Sequence, residues 1–85
     1  MTNEDHESLE YMKYLLGNIG LEILTSIKRG AKHLETIKLF SGVSYNCIHG
    51  RLPVLLELNL IKKENDEYSL TEKGKKLYVK LMASR

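Results

Sequence analysis

The chain has 85 residues, 42% hydrophobic and 28% charged, with one proline and one cysteine; this is the composition of one small globular domain and excludes a disordered or disulfide-stapled chain. No apolar run approaches the ~20 residues of a membrane span and the acidic N-terminus lacks the basic start of a signal peptide, so a cytoplasmic protein is expected. The net charge of +2 hides an asymmetry: Glu4, Asp5, Glu7 and Glu10 make the first 10 residues −4, and the other 75 hold 13 basic against 7 acidic groups, which suits a polyanion without specifying one.

Residues 5–16 can form a helix with Leu9, Met12 and Leu16 on one stripe. Gly17-Asn18-Ile19-Gly20 interrupts or kinks the pattern. A helical segment over about 19–29 follows, with Ile23, Leu24 and Ile27 inward and a stop at Gly30. Whether these are one helix or two is open at this level. Residues 31–34 have the length of a small edge strand.

Residues 35–60, ETIKLFSGVSYNCIHGRLPVLLELNL, read as a helix, a tight turn and a second helix, the helix-turn-helix arrangement. Ile37, Leu39 and Phe40 supply the apolar side of the first helix; Ile48, Leu52, Leu55 and Leu56 recur at helical spacing along the second. Gly42 can take the positive φ that ends one helix, Val43 can plug the angle, and the Ser44 hydroxyl can cap the next. With Ile48 at the centre of the buried side, 100° steps put Asn46, Gly50, Pro53 and Glu57 on the far side, flanked by Tyr45 and His49. Asn46 can pair bidentately with an adenine edge, and Gly50 allows close backbone approach. Arg51 sits on the inner flank, from which a long side chain can reach a phosphate. Pro53 predicts a kink near residues 50–53.

Asn59 then stands where the chain needs a left-handed residue. Residues 60–64 and 68–70 read as two short strands around a turn at Asn65-Asp66, and Thr71 caps a final helix with Leu77, Tyr78, Leu81 and Met82 on its stripe. That helix also holds Lys73, Lys75, Lys76, Lys80 and Arg85. No enzymatic constellation is visible: Cys47 and His49 diverge on a helix, and no phosphate loop, nucleophile elbow or carboxylate pair occurs. Catalytic residues, metal ligands, cofactors and a small-molecule ligand are therefore not expected.

The order of elements resembles the winged helix-turn-helix fold. Leu58-Asn59-Leu60-Ile61 is similar to that family's L-x-G-L-I junction with Asn for Gly. Leu70-Thr71-Glu72-Lys73-Gly74 is similar to its L-T-E-K-G exit from the wing, and the stretch from Thr36-Ile37 to Val43-Ser44-Tyr45 resembles small archaeal winged-helix DNA-binding proteins that pair through a C-terminal helix. The resemblance covers roughly residues 19–82. It implies an α+β, mainly α, domain over 1–85, with the helix-turn-helix at about 34–58, a two-stranded wing at about 60–70 and a C-terminal helix at about 71–84, beside an extra N-terminal helix.

It further implies a sequence-specific transcriptional regulator of double-stranded DNA. Carried over by position, Ser44, Tyr45, Asn46 and His49 would be the base- and phosphate-facing residues, and Lys62, Lys63 and the turn at Asn65 would form the wing, while Arg51 completes the recognition stretch as a phosphate contact from the inner flank. The acidic wing tip, Glu64, Asp66 and Glu67, departs from a minor-groove reader and suits a wing that flanks the backbone. The stripes of Leu9, Met12, Leu16, Leu77, Leu81 and Met82 either complete a monomer's core or pack against a second copy. A homodimer is favoured because it meets two half-sites. The rival functions are a winged-helix protein-interaction module or a non-specific architectural DNA binder, with RNA binding well behind.

Overall fold

The computed structural model describes residues 4–83, with side chains from Leu9 onward. Arg85 and the side chains of Glu4, Asp5 and Glu7 lie outside the described residues. The elements in order are α1 (Glu4–Lys28), α2 (Leu34–Ser41), α3 (Tyr45–Glu57), β1 (Ile61–Glu64), β2 (Glu67–Leu70) and α4 (Glu72–Ala83). The architecture is α+β, mainly α. Helix α1 packs against α2, α3, α4 and β2, and the hairpin also meets α3 through β1 and α4 through β2.

The N-terminal question is answered by one glycine. Gly17 takes φ 61° and ψ −173°, non-helical torsions open to glycine, so α1 consists of two helical segments that meet at a kink there. On either side of the kink, Leu16, Ile23, Leu24 and Ile27 face the core with Ile37, Ile48, Leu52, Leu55, Leu60, Ile61, Tyr68, Leu70 and Leu81. Ser26 is buried among them, and its hydroxyl donates to the Glu22 carbonyl at 2.9 Å, so the polar atom is satisfied.

Three local expectations need correction. Residues 31–34 form no strand; the segment gives one bond to the hairpin edge, Tyr68 N–H to the Lys32 carbonyl at 2.8 Å, while Ala31 is fully buried. Pro53 does not interrupt α3, which runs unbroken through it. Pro53 is exposed, and on the solvent side water can replace the missing donor. Leu39, Phe40 and Leu56 are not core residues: Leu39 is 78% exposed, and the other two are also at the surface. With only 8 residues in α2, one narrow face is covered, and Ile37 fills it.

The hairpin is antiparallel, pairing Ile61 with Leu70, Lys62 with Ser69, Lys63 with Tyr68 and Glu64 with Glu67. Asn65 and Asp66 both have positive φ, 54° and 67°, the signature of a two-residue type I′ turn. Asn59, at φ 61°, turns the chain out of α3. The junction and the exit from the wing then meet in space. The Thr71 hydroxyl donates to the Asn59 carbonyl at 2.7 Å and accepts from Gly74 N–H at 2.9 Å. Thr71 N–H bonds the Leu60 carbonyl at 3.0 Å. A Cβ at Gly74 would collide with that same carbonyl, so α4 can pack this closely on the junction only with glycine there.

Candidate nucleic-acid interface

The geometry of α3 begins in the turn before it. Gly42 is left-handed at φ 74° and its N–H reaches the Lys38 carbonyl. The Ser41 hydroxyl accepts from Val43 N–H at 3.1 Å, which holds the half-buried Val43 against the core. Ser44 is extended, and its hydroxyl accepts from Cys47 N–H at 3.3 Å, the cap expected of it. Ile48, Leu52 and Leu55 then pin the inner side. The consequence is a fixed outer face.

On that face Ser44, Tyr45, Asn46, Cys47, His49 and Gly50 are all exposed. Tyr45 and His49 stack loosely, with ring centroids 6.3 Å apart. The Lys38 ammonium, from α2, stands 5.4 Å from the Tyr45 ring, a cation–π contact. Lys38 therefore belongs to this face, although no local pattern marks it. Nothing lies within 4 Å of where a Gly50 side chain would begin, so the surface there is open to close approach.

Arg51 and the wing lysines occupy three separate environments. Arg51 is half-buried and its guanidinium donates to the Leu15 carbonyl at 3.4 Å, a contact inside the fold. Strand alternation puts Lys62 and Lys63 on opposite faces of the hairpin. Lys63 lies beside a depression lined also by Tyr45, His33 and Asp66. It sits 3.8 Å from Asp66 and 5.5 Å from the Tyr68 ring. Lys62 turns to the other side, towards Lys32 and Lys75. His33 and Glu67, 3.9 Å apart and exposed, link the start of α2 to the wing weakly.

Of the six stripe residues, Leu16 (1% exposed) and Leu81 (3%) lie inside the chain's own core. Leu9 and Leu77 are half-buried against that core, Met12 is half-buried, and Met82 is exposed. The most exposed apolar side chain of α1 is Tyr14, at 82%. Among the described residues no group of three His, Cys, Asp or Glu could hold a metal ion, and no helix is long and apolar enough to cross a membrane.

Comparison with known proteins agrees with this fold. The chain is 40% identical over 67 residues to an uncharacterised HTH-type transcriptional regulator of Methanocaldococcus jannaschii, a match covering 72% of this chain and 63% of that protein. The chain thus spans under two thirds of that relative's length. The crystal structure of Sso10a-2, a DNA-binding protein from Sulfolobus solfataricus, is 30% identical with a TM-score of 0.59, over 75% of each chain. Ligand-free NadR shares the fold at a TM-score of 0.70 and 17% identity, over 95% of this chain and 67% of its own. The winged helix-turn-helix profile matches residues 10–85, and the chain belongs to that family.

Proposed function

We propose that this protein is a sequence-specific, double-stranded DNA-binding transcriptional regulator that acts as a homodimer in the cytoplasm. The observation that carries the reading is the outer face of α3. Ser44, Tyr45, Asn46 and His49 stand exposed on a helix start that is capped from outside and pinned from inside. In a major groove, Asn46 offers a bidentate pair to adenine, Tyr45 and His49 offer donors to bases or phosphates, and Lys38 adds a cation beside them. Lys63 brings the wing root towards the same duplex. Arg51 is engaged with Leu15 and contributes by positioning α3. The names of the M. jannaschii and S. solfataricus relatives, a transcriptional regulator and a DNA-binding protein, point the same way.

Pairing would use the N-terminal half of α1, where Leu9, Met12 and the exposed Tyr14 lie, with Met82 at the end of α4. A two-fold dimer presents two copies of α3 to half-sites one helical turn, about 34 Å, apart. Leu16 and Leu81 would support this surface from within the core. Selection from a random duplex pool, with sequencing of the retained fraction, tests the reading. A two-fold symmetric motif is expected, and an unenriched pool would contradict it.

One observation favours a second reading. The wing tip is acidic, and Lys63 is paired with Asp66, which suits a module that docks on a basic protein surface. Under that reading duplex binding vanishes at about 0.15 M salt, where screening is strong.

A further inference from the structure

The hairpin has a second face. Lys62 and Ser69, cross-strand partners, help to line a cleft of about 570 Å³ where the hairpin meets the end of α1 and the side of α4. Four lysines, Lys28, Lys32, Lys62 and Lys75, surround it, together with the buried Ile27 and Leu70 and with Val79, which is 62% exposed. Among the described residues only Lys75 of the four is ion-paired, to Glu72 at 3.6 Å. The backbone at the end of α1 is satisfied internally: Gly30 N–H bonds the Ile27 carbonyl and Ala31 N–H the Ser26 carbonyl, each at 3.0 Å. Among the described residues Lys28, Lys32 and Lys62 thus stand at the cleft with no carboxylate partner.

Concavity decides what such a set of charges suits. A duplex presents a convex row of phosphates and gains nothing from an apolar wall. A small molecule needs a cavity of about 300–1,000 Å³, mostly apolar, with a few placed polar groups. Lysine ammonium groups serve as point charges for a carboxylate or phosphate, and Leu70 and Val79 offer apolar contact to the rest of such a ligand. We infer that the cleft binds a small organic anion with an apolar body, its head group held by Lys32 and Lys62 and its body against Leu70 and Val79. A ligand there would touch the wing, α1 and α4 at once. Its effect on DNA affinity rests on the function proposed above, whereas the binding itself does not. Reciprocal coupling then requires DNA to change the ligand's affinity by the same factor.

The test is an amide-resolved NMR titration of the full chain with 2-naphthoate, 2-naphthyl phosphate, inorganic phosphate and a random-sequence duplex, each separately. Saturable shifts of the Gly30, Ser69 and Lys75 amides with either naphthyl compound are expected, and the better of the two identifies the head group. Inorganic phosphate should bind at least about tenfold more weakly, since it lacks the apolar body. The surface variants Lys32→Ser/Lys62→Ser and Val79→Asp, whose spectra should keep native dispersion elsewhere, should each weaken naphthyl binding by about tenfold or more. Three results would overturn the inference: no saturable shift, equal response to naphthyl compounds and inorganic phosphate, or loss of most duplex affinity in Lys32→Ser/Lys62→Ser with naphthyl binding unchanged. The last would assign the lysines to a polyanion.

Discussion

The guanidinium of Arg51 donates to the carbonyl of Leu15 across 3.4 Å, tying the middle of α3 to α1 two residues before Gly17 breaks the helical torsions. Carbonyls next to such a break lose their regular donors, and a cationic side chain is a common replacement. The bond sets how the N-terminal half of α1 sits on the helix-turn-helix. In the dimer proposed here, that half carries the pairing surface, so the contact connects pairing to reading.

Replacing Arg51 by Met keeps most of the apolar stem and removes the donor. Stability should fall by about 1 kcal/mol, the usual worth of such a bond, read as a lower urea midpoint at unchanged slope. Any loss of DNA affinity should be the same for every sequence. An unchanged midpoint would show that the tether contributes nothing.

Gly74→Ala tests the junction between wing and α4. Helix propensity alone would favour Ala by about 1 kcal/mol. The new methyl would press on the Leu60 carbonyl, and relief requires α4 to move off Asn59 and Leu60. A net loss of about 1–3 kcal/mol is expected from such overpacking, seen as a lower Tm. A variant as stable as the parent would refute the close-approach account.

Much of this fold is legible in the sequence because its punctuation is chemical and local. Gly42, Ser44, Asn59 and Thr71 each do what their backbone preference and side-chain reach dictate, and the Asn65-Asp66 turn fixes the register of the hairpin. What the sequence hides depends on which neighbours arrive. Leu39 and Phe40 have core-type side chains, but α2 has only one narrow covered face. The partner of Arg51, the Leu15 carbonyl, lies on another helix beside the kink at Gly17, far away in sequence. The split between Lys62 and Lys63 follows from strand alternation once the strand is known to begin at Ile61. Lys38 joins the α3 face solely through the angle of the turn.

The two wing lysines should behave differently. Lys63→Ala should reduce the slope of log affinity against log salt by roughly 1, as expected for one lost phosphate contact, and Lys62→Ala should leave it unchanged. Anisotropy titrations from about 50 to 200 mM salt resolve that difference. Equal slopes for the two variants would mean that Lys63 stays with Asp66 and Tyr68 in the complex.

Pairing through the N-terminal half of α1 makes Tyr14 a sensitive position. Tyr14→Glu puts a charge on the proposed interface while leaving the core untouched, since the side chain is exposed. Sedimentation equilibrium should show a shift from dimer to monomer, with unchanged helicity. Affinity for a two-fold site should fall by several tenfold steps, because each half-site alone retains only part of the binding free energy. A variant that still sediments as a dimer would move the interface elsewhere.

The central claim is base reading by the outer face of α3, and the most direct measurement is a paired titration of Asn46→Ala and His49→Ala on the selected duplex and on a scrambled one at fixed salt. The account predicts a loss of about 1–3 kcal/mol per good base contact on the selected site and almost none on the scrambled duplex. Equal losses on both would contradict it, and would leave these side chains as phosphate contacts on a protein that does not read sequence.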